Sequence, residues 1–173
     1  GDYIVLADHD DVITENALYE CAKAINKEDC DCLYSDEDKL DMDGGSLFDP
    51  HFKPDFNIDL LESVNYICHL FVVKKELVDI AGMFDAAYDG AQDYDFIFRV
   101  TENAKKIVHI PKVLYHWRCH MNSTASNPQS KLYAFEAGAR AIKAHIERVG
   151  KSLHIEKIDK GVDYGIYHKY FIL

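Results

Sequence analysis

Residues 3–11 read Tyr3-Ile4-Val5-Leu6-Ala7-Asp8-His9-Asp10-Asp11, an apolar run that ends in three carboxylates and an imidazole. A short and almost uniformly apolar run is typical of a buried strand in a parallel sheet. Ligands of open α/β sheets bind beyond the carboxyl ends of the strands. Carboxylate oxygens there suit Mg²⁺ or Mn²⁺ better than a thiophilic metal. The stretch therefore predicts a strand that leads directly into a divalent-metal site.

The acidic cluster after this run also has other interpretations. A carboxylate between a strand and a helix often only caps the helix, and Asp11 fits that role. An EF-hand is excluded because Ile13 and Tyr19 stand where its calcium loop requires Gly and Glu. Asp8-His9-Asp10-Asp11-Val12 also resembles the Asp-x-Asp-x-Thr/Val motif of haloacid-dehalogenase-type phosphatases. Those enzymes need a second Asp pair after an apolar strand, whereas the residues before Asp93 predict a loop.

The composition restricts the class of protein and of partner. The chain has 173 residues, of which 48% are hydrophobic and 28% charged, as in an ordinary soluble domain with one core. Its formal net charge of −11 argues against a nucleic-acid partner and against electrostatic binding to anionic lipid. No apolar run approaches the roughly 18 residues of a membrane span. The five cysteines lack zinc-type spacing and indicate reduced thiols in the cytoplasm.

Predicted strands alternate with predicted helices along the chain, which is typical of the α/β class. The strands cover residues 31–34, 67–73, 107–110 and 113–117, and the helices cover residues 17–25, 57–63, 75–81, 93–104 and 130–149. The run Ser35-Asp36-Glu37-Asp38 is a second acidic strand end and is expected to be a loop. Because few strands are predicted and the chain opens inside one, we expect an incomplete sheet taken from a longer chain.

Side chains from three parts of the chain could carry chemistry if the strands share one sheet. Asp8 and Asp10 alternate along an extended segment, so both can approach one metal ion. His116 could be a further ligand because neutral imidazole suits Mn²⁺, although a lone histidine is more often simply packed. Asp93 stands at the start of a predicted helix, whose dipole favours the ionised carboxylate. An ionised carboxylate in a cleft can act as a general base, or Asp93 could merely cap its helix.

Six motifs, taken together, resemble a family 2 glycosyltransferase of the GT-A fold, of the bacterial polysaccharide or rhamnosyltransferase-like type. The resemblance covers about residues 1–150 and is more specific than any single motif, because the order of the motifs is kept. Gln92 departs from the pattern, since Glu is commoner there. The motifs are Asp8-His9-Asp10-Asp11, Tyr34-Ser35-Asp36-Glu37-Asp38, Phe52-Lys53-Pro54-Asp55, Asn65-Tyr66, Gly90-Ala91-Gln92-Asp93-Tyr94-Asp95 and Tyr115-His116-Trp117-Arg118 with His120, Ser123 and Thr124.

The resemblance implies an α/β chain with a GT-A type mixed sheet flanked by helices. That sheet would be incomplete, because the nucleotide-binding strands that precede the metal motif in this family are absent. Residues 1–150 would form the C-terminal portion of a glycosyltransferase domain, with its metal, acceptor and base regions. Residues 151–173 would be a connector that could lead to a second domain.

The resemblance also implies roles for individual residues. Asp8 and Asp10 match the Asp-x-Asp motif that binds Mg²⁺ or Mn²⁺ and the diphosphate of the nucleotide sugar. Asp93 matches the catalytic base. The further metal ligand would be His116, with His120 as the alternative. Contacts to the acceptor would fall to Asp36, Asp38, Trp117 and Arg118.

The expected function is inverting, metal-dependent transfer of a sugar from a nucleotide-diphosphate sugar to a glycan or lipid-linked acceptor. The process would be cell-surface polysaccharide synthesis, in the cytoplasm or at the inner face of the membrane. This chain alone is expected to be weakly active or inactive, and its exposed sheet edge could pair with a second copy. A non-catalytic carbohydrate-binding module is a further alternative, with stacking by Phe52, Phe56, Tyr66 and Trp117.

Overall fold

The computed structural model describes residues 1–119, 132–150, 154–163 and 165–172. Within these residues lie a six-stranded sheet and a two-stranded hairpin. The strands are β1 (Tyr3–Leu6), β2 (Val12–Ile13), β3 (Cys32–Leu40), β4 (Leu47–His51), β5 (Phe71–Lys74), β6 (Ile107–Arg118), β7 (His154–Lys160) and β8 (Tyr167–Ile172). The helices are α1 (Ala17–Glu28), α2 (Ile58–Leu61), α3 (Lys75–Ala81), α4 (Gln92–Thr101) and α5 (Leu132–Arg148).

The large sheet is mixed, which confirms the predicted fold class. Its strand order is β1-β5-β3-β6-β2, and β4 pairs with the C-terminal half of β3. β3 and β6 are parallel, whereas the other pairs are antiparallel. β6 continues through Pro111, where the predicted strand was interrupted. The pairing with β3 shifts register there, which accommodates a residue without a backbone N–H.

The opening apolar run forms a strand, as predicted, but its surroundings differ from the prediction. β1 pairs antiparallel with β5 and lies at the edge of the sheet that the described residues form. Ile4 and Val5 are each 37% exposed, so the run is not the buried parallel strand that its composition indicates. A strand with one described neighbour leaves its outer side uncovered, and apolar composition alone does not report the number of neighbours.

The predicted end of the second strand at Tyr34 is wrong. β3 continues to Leu40, and the whole acidic run Ser35-Asp36-Glu37-Asp38 is buried inside the sheet. Buried carboxylates are tolerated where hydrogen bonds and charges compensate them. Lys53, His109 and His116 provide that compensation, and none of them is adjacent to β3 in the sequence.

Alternate residues of β3 pack against opposite helical layers, as the period of a strand requires. Tyr34 lies in the larger core with helices α4 and α5, and Leu33 lies in the smaller core with α1. The larger core includes Phe71, Ile97, Phe98, Ala137 and Ile142. The smaller core includes Ala17, Cys21, Val72 and Leu114. Helices therefore cover both faces of the sheet, which is the layered arrangement of an α/β domain.

The β7–β8 hairpin, predicted to belong to a connector, packs against the larger core. Tyr167 is buried there, and its hydroxyl donates a hydrogen bond to the carbonyl of Phe135 at 3.1 Å. The Tyr167 backbone N–H donates to the carbonyl of Ser63 at 2.8 Å. Lys169 pairs with Glu62 at 2.6 Å. These contacts attach the hairpin to α2 and α5; a link to a second domain stays a prediction.

His145 of α5 lies buried between two carboxylates. Its Nδ1 is 2.7 Å from Glu102 and its Nε2 is 3.3 Å from Glu62, while its ring stacks on Phe98. Arg148 pairs with Glu102 on the other side. Burial alone would lower the pKa of His145, but the two glutamates outweigh burial and raise the pKa above its ordinary value.

This raised pKa predicts a dependence of stability on pH. Protonated His145 stabilises the folded state fully below its unfolded pKa of about 6.5. That stabilisation is lost as the pH rises through the higher folded pKa, because the folded state then releases a proton that the unfolded state has already lost. Urea unfolding should therefore show falling stability from about pH 6.5 upward, and His145→Gln should flatten this slope. The same change at exposed His168 is the control, and an unaltered slope in His145→Gln would contradict the assignment.

Among the described residues, no helix combines the length and the apolar character needed to cross a bilayer.

Candidate active site

A cavity of about 900 Å³ opens where the end of β1, the segment 64–69 and the start of α4 meet. The turn of the β7–β8 hairpin and the first residues of α5 complete its wall. Polar side chains with potential chemistry lie along it. They are Asp8, Glu37, Lys39, His51, Asn65, Cys68, His69, Asp93, Trp117 and Asp163.

One end of the cavity carries a candidate metal centre formed by Asp8, Asp11 and His69. One ligand atom from each of these residues lies within 4.8 Å of the others. The Asp8 carboxylate is 3.7 Å from Nε2 of His69, and the His69 ring stacks on Tyr115 with 4.9 Å between centroids. Two carboxylates and an imidazole fit Mn²⁺ or Mg²⁺. These three residues could therefore hold a divalent metal, and the binding of Mg²⁺ or Mn²⁺ stays a prediction.

Tyr115 and Arg118 of β6 hold the acidic loop in place. The Tyr115 hydroxyl donates to Asp11 at 2.5 Å and accepts the backbone N–H of Asp8 at 3.0 Å. The Arg118 backbone N–H donates to the other Asp11 oxygen at 2.7 Å. Burial raises the pKa of Asp11, although these hydrogen bonds oppose the shift. Asp11 is thus oriented by hydrogen bonds from Tyr115 and Arg118, as carboxylates that bind metals commonly are oriented by neighbouring groups.

The candidate base Asp93 lies at another part of the same cavity, in the first turn of α4. Its carboxylate accepts a hydrogen bond from Nδ2 of Asn65 at 2.9 Å. Cys68 lies beside it, and burial together with the negative charge of Asp93 raises the pKa of the Cys68 thiol well above its ordinary value. Cys68 therefore remains a neutral thiol next to an acceptor carboxylate.

The other predicted metal ligands lie elsewhere. The Asp10 carbonyl accepts Nε of Arg118 at 2.7 Å, and the Asp10 carboxylate is 3.9 Å from His9. His116 is paired with Asp38 at 2.5 Å, and neither Asp10 nor His116 belongs to the three-residue cluster. His120 lies outside the described residues. Ligation by Asp10, His116 and His120 stays a prediction, and the geometry adds Asp11 and His69 as candidates.

The predicted acceptor residues divide into two groups. Trp117 lines the cavity, where its ring lies 6.4 Å from that of His69. Asp36 is buried in β3 and accepts the Lys53 backbone N–H at 2.9 Å, while Nε2 of His109 lies 2.8 Å away. Asp38 is occupied by His116, and the Arg118 guanidinium bonds the carbonyls of Asp10 and Met42. Of these residues only Trp117 is among those that line the cavity.

Sequence reasoning missed His69 and Glu37 and gave Asp11 only a capping role. His69 stands inside the run Ile67-Cys68-His69-Leu70-Phe71-Val72-Val73, which predicts a strand. The strand begins only at Phe71, so the preceding residues are free to face the cavity. An imidazole interrupting an otherwise apolar run is the signal that could have identified this position.

The geometry gives the phosphatase interpretation no support, and of the four proposed sugar-stacking aromatics it places Trp117 at the cavity and two in or against the larger core. The stretch before Asp93 holds a 3₁₀ turn at Ala86–Tyr88 rather than the apolar strand that the phosphatase motif requires. Tyr66, one of the proposed sugar-stacking aromatics, is buried in the larger core. Phe56 packs against the same core.

Comparison with known proteins finds sequence relatives that are much longer than this chain. No protein-family model matches it. It is 45% identical over 159 residues to the uncharacterized protein y4gI of Sinorhizobium fredii, covering 90% of this chain and 17% of that protein. It is 36% identical over 156 residues to the O-antigen biosynthesis protein RfbC of Myxococcus xanthus, covering 90% of this chain and 12% of RfbC. The chain thus spans less than a fifth of each relative.

Solved structures of S. aureus TarS share the fold. The complex of TarS residues 1–349 with UDP-GlcNAc matches with a TM-score of 0.58 and 19% identity, over 84% of this chain and 43% of TarS 1–349. The UDP complex of the same protein matches with a TM-score of 0.52 and 16% identity, over 87% of this chain and 49% of that structure. The fold implied by the resemblance is therefore confirmed: the chain shares the mixed α/β fold of TarS and is related in sequence to an O-antigen biosynthesis protein.

Proposed function

We propose that the protein transfers a sugar from a nucleotide-diphosphate sugar to a hydroxyl group of a glycan or lipid-linked acceptor, in cell-surface polysaccharide synthesis. The observation that carries the proposal is that Asp8 and His69 of the candidate metal centre line the same cavity as Asp93. A diphosphate bound at the candidate metal centre would place the sugar between that centre and the Asp93 carboxylate. The TarS complex with UDP-GlcNAc and the relationship to RfbC support this class of donor and this process.

Asp8, Asp11 and His69 would hold Mg²⁺ or Mn²⁺. A metal ion bound there would offset the negative charge that develops on the leaving diphosphate. The chain itself carries a net charge of −11, so its own side chains provide little electrostatic attraction for an anionic donor. We therefore propose that transfer requires a bound metal ion, which supplies positive charge for the donor. Asp10 and His116 remain proposed ligands in a substrate-bound state.

Asp93 would accept the proton of the acceptor hydroxyl as that oxygen attacks the anomeric carbon. Direct attack displaces the diphosphate in one step and inverts the configuration at that carbon. Asn65 contributes by orientation, because its Nδ2 donates to the Asp93 carboxylate and limits its rotation. Trp117 contributes an apolar ring in the cavity wall, against which the face of an acceptor sugar can pack.

Metal removal tests this proposal directly. The full-length protein that contains this chain would be incubated with UDP-GlcNAc and other nucleotide sugars, and nucleotide release and glycan products would be measured. We expect EDTA to lower transfer at least about 100-fold, because the leaving diphosphate then lacks charge compensation, and Mn²⁺ to restore it. Asp8→Asn should reproduce the loss with Mn²⁺ present.

Asp79→Asn is the matched control, since Asp79 pairs with Lys75 on the outer surface of α3. Full transfer in EDTA after complete removal of bound metal would contradict metal dependence. This chain alone is proposed to bind nucleotide sugar poorly and to transfer little, and tight binding of UDP to it in calorimetry would contradict the first of these two points.

A further inference from the structure

The buried side chain of Lys53 makes contacts that neither the motif nor the proposed chemistry explains. Its side chain has 0% exposure. Its Nζ donates to Oε2 of Glu37 at 3.2 Å, to the Ile67 carbonyl at 2.9 Å and to the His69 carbonyl. An ammonium group has three donors, and all three are used. Burial lowers the pKa of Lys53, and the charge of Glu37 opposes that shift.

Glu37, the ion-pair partner of Lys53, contacts the same stretch of backbone. Its Oε2 also accepts the backbone N–H of His69. The ion pair therefore binds both the N–H and the C=O of His69. The backbone of Lys53 is itself fixed, because its N–H donates to Asp36 inside the sheet.

Residues 65–69 need such partners because they lie outside regular structure. β5 begins at Phe71, so the polar backbone groups of Ile67 and His69 are not part of its pairing with β1 and β3. Buried backbone groups without partners are costly. Lys53 and Glu37 satisfy them with charge-assisted hydrogen bonds, which are stronger than neutral ones.

The side chains of this segment reach two separate parts of the cavity. His69 contributes to the candidate metal centre, whereas Asn65 and Cys68 lie beside Asp93. A displacement of the segment would therefore disturb both parts together.

We propose that Lys53 and Glu37 are positioning residues that hold segment 65–69 so that His69 meets the metal and Asn65 meets Asp93. The inference rests on the proposed function for the metal and for the base, but the restraint on the segment can be measured separately. Lys53 acts through the backbone of the segment and contacts no substrate.

Two readouts test it on the chain: backbone amide hydrogen exchange by NMR, and calorimetry with Mn²⁺ alone. In Lys53→Met we expect the His69 amide to exchange at least about tenfold faster, while core amides such as that of Val73 keep their rates. Loss of an outer partner of a metal ligand typically lowers metal affinity about 10–100-fold, and we expect that loss for Mn²⁺. Lys112→Met is the matched control, because Lys112 forms an exposed ion pair with Glu20 at 2.7 Å.

Lys53→Met leaves the buried Glu37 carboxylate without its lysine partner and with His51, at 3.6 Å, as a possible counter-charge, which can prevent folding. The double variant Lys53→Met/Glu37→Gln removes both charges and should fold while showing the same faster His69 exchange. A folded variant with wild-type His69 exchange overturns the proposal. If the wild-type chain binds Mn²⁺, a folded variant with unchanged Mn²⁺ affinity also overturns the proposal. If the wild-type chain binds no Mn²⁺, the proposed metal function fails, and the exchange rate alone then decides whether Lys53 restrains the segment.

Discussion

Replacing Asp93 with Asn should lower sugar transfer by about 10²–10⁴-fold, the range by which a positioned general base contributes to catalysis. Asparagine keeps the size of the side chain and an oxygen that can accept the Asn65 hydrogen bond, so the local geometry should persist. It cannot take a proton from an attacking hydroxyl at neutral pH. The initial rate of nucleotide release by the full-length protein, with acceptor present, measures the loss.

Mn²⁺ affinity separates this effect from a general disturbance of the site. Asp93 lies outside the cluster of Asp8, Asp11 and His69, so Asp93→Asn should bind Mn²⁺ like the wild type. Asp89→Asn, a change at an exposed residue shortly before α4, is the control for charge removal. Transfer by Asp93→Asn within about threefold of the wild type would exclude Asp93 as the base.

Replacing Gly138 with Val should destabilise the fold by about 1–3 kcal/mol, the usual cost of forcing atoms into a packed core. A Cβ at Gly138 would lie 2.1 Å from the hydroxyl oxygen of Tyr167 and 2.9 Å from its Cζ. The tyrosine ring would have to leave the slot beside α5, and its hydrogen bond to Phe135 would be lost. The free energy of unfolding from urea titration measures the cost.

A double-mutant cycle identifies the cause. In Gly138→Val/Tyr167→Ala the clash is absent, so the two substitutions should be less than additive. Gly45→Val is the control, because a Cβ there meets no atom within 4 Å. Additive effects in the cycle would show that the cost comes from the helix and not from the contact with Tyr167.

The sequence predicts well what is encoded locally. The alternation of elements, the helix at α3 and the position of Asp93 at a helix start follow from spacing and from apolar periodicity. The presence of Asp8 and Asp93 on one cavity follows from the order of motifs in the resembled family. These features depend on neighbours a few residues apart, which a single sequence displays.

Features that depend on distant partners could not be predicted in the same way. Four polar residues of β3 indicate a loop until Lys53, His109 and His116 are known to face them. The same limit applies to His69, whose position at the cavity depends on β5 beginning only at Phe71. A polar residue in a strand is stabilised by groups that only the tertiary structure brings near.

The parallel pairing of β3 with β6 has a kinetic consequence. Cys32 is opposite Ile107, and β4, α2, β5, α3 and α4 all lie in the chain between these two residues. Forming this pair closes a long loop, and the loss of chain entropy precedes the stabilising contacts between the strands. Such a topology is associated with slow folding. A newly made chain therefore lacks His109 and His116, the partners of Asp36 and Asp38, until β6 has been synthesised.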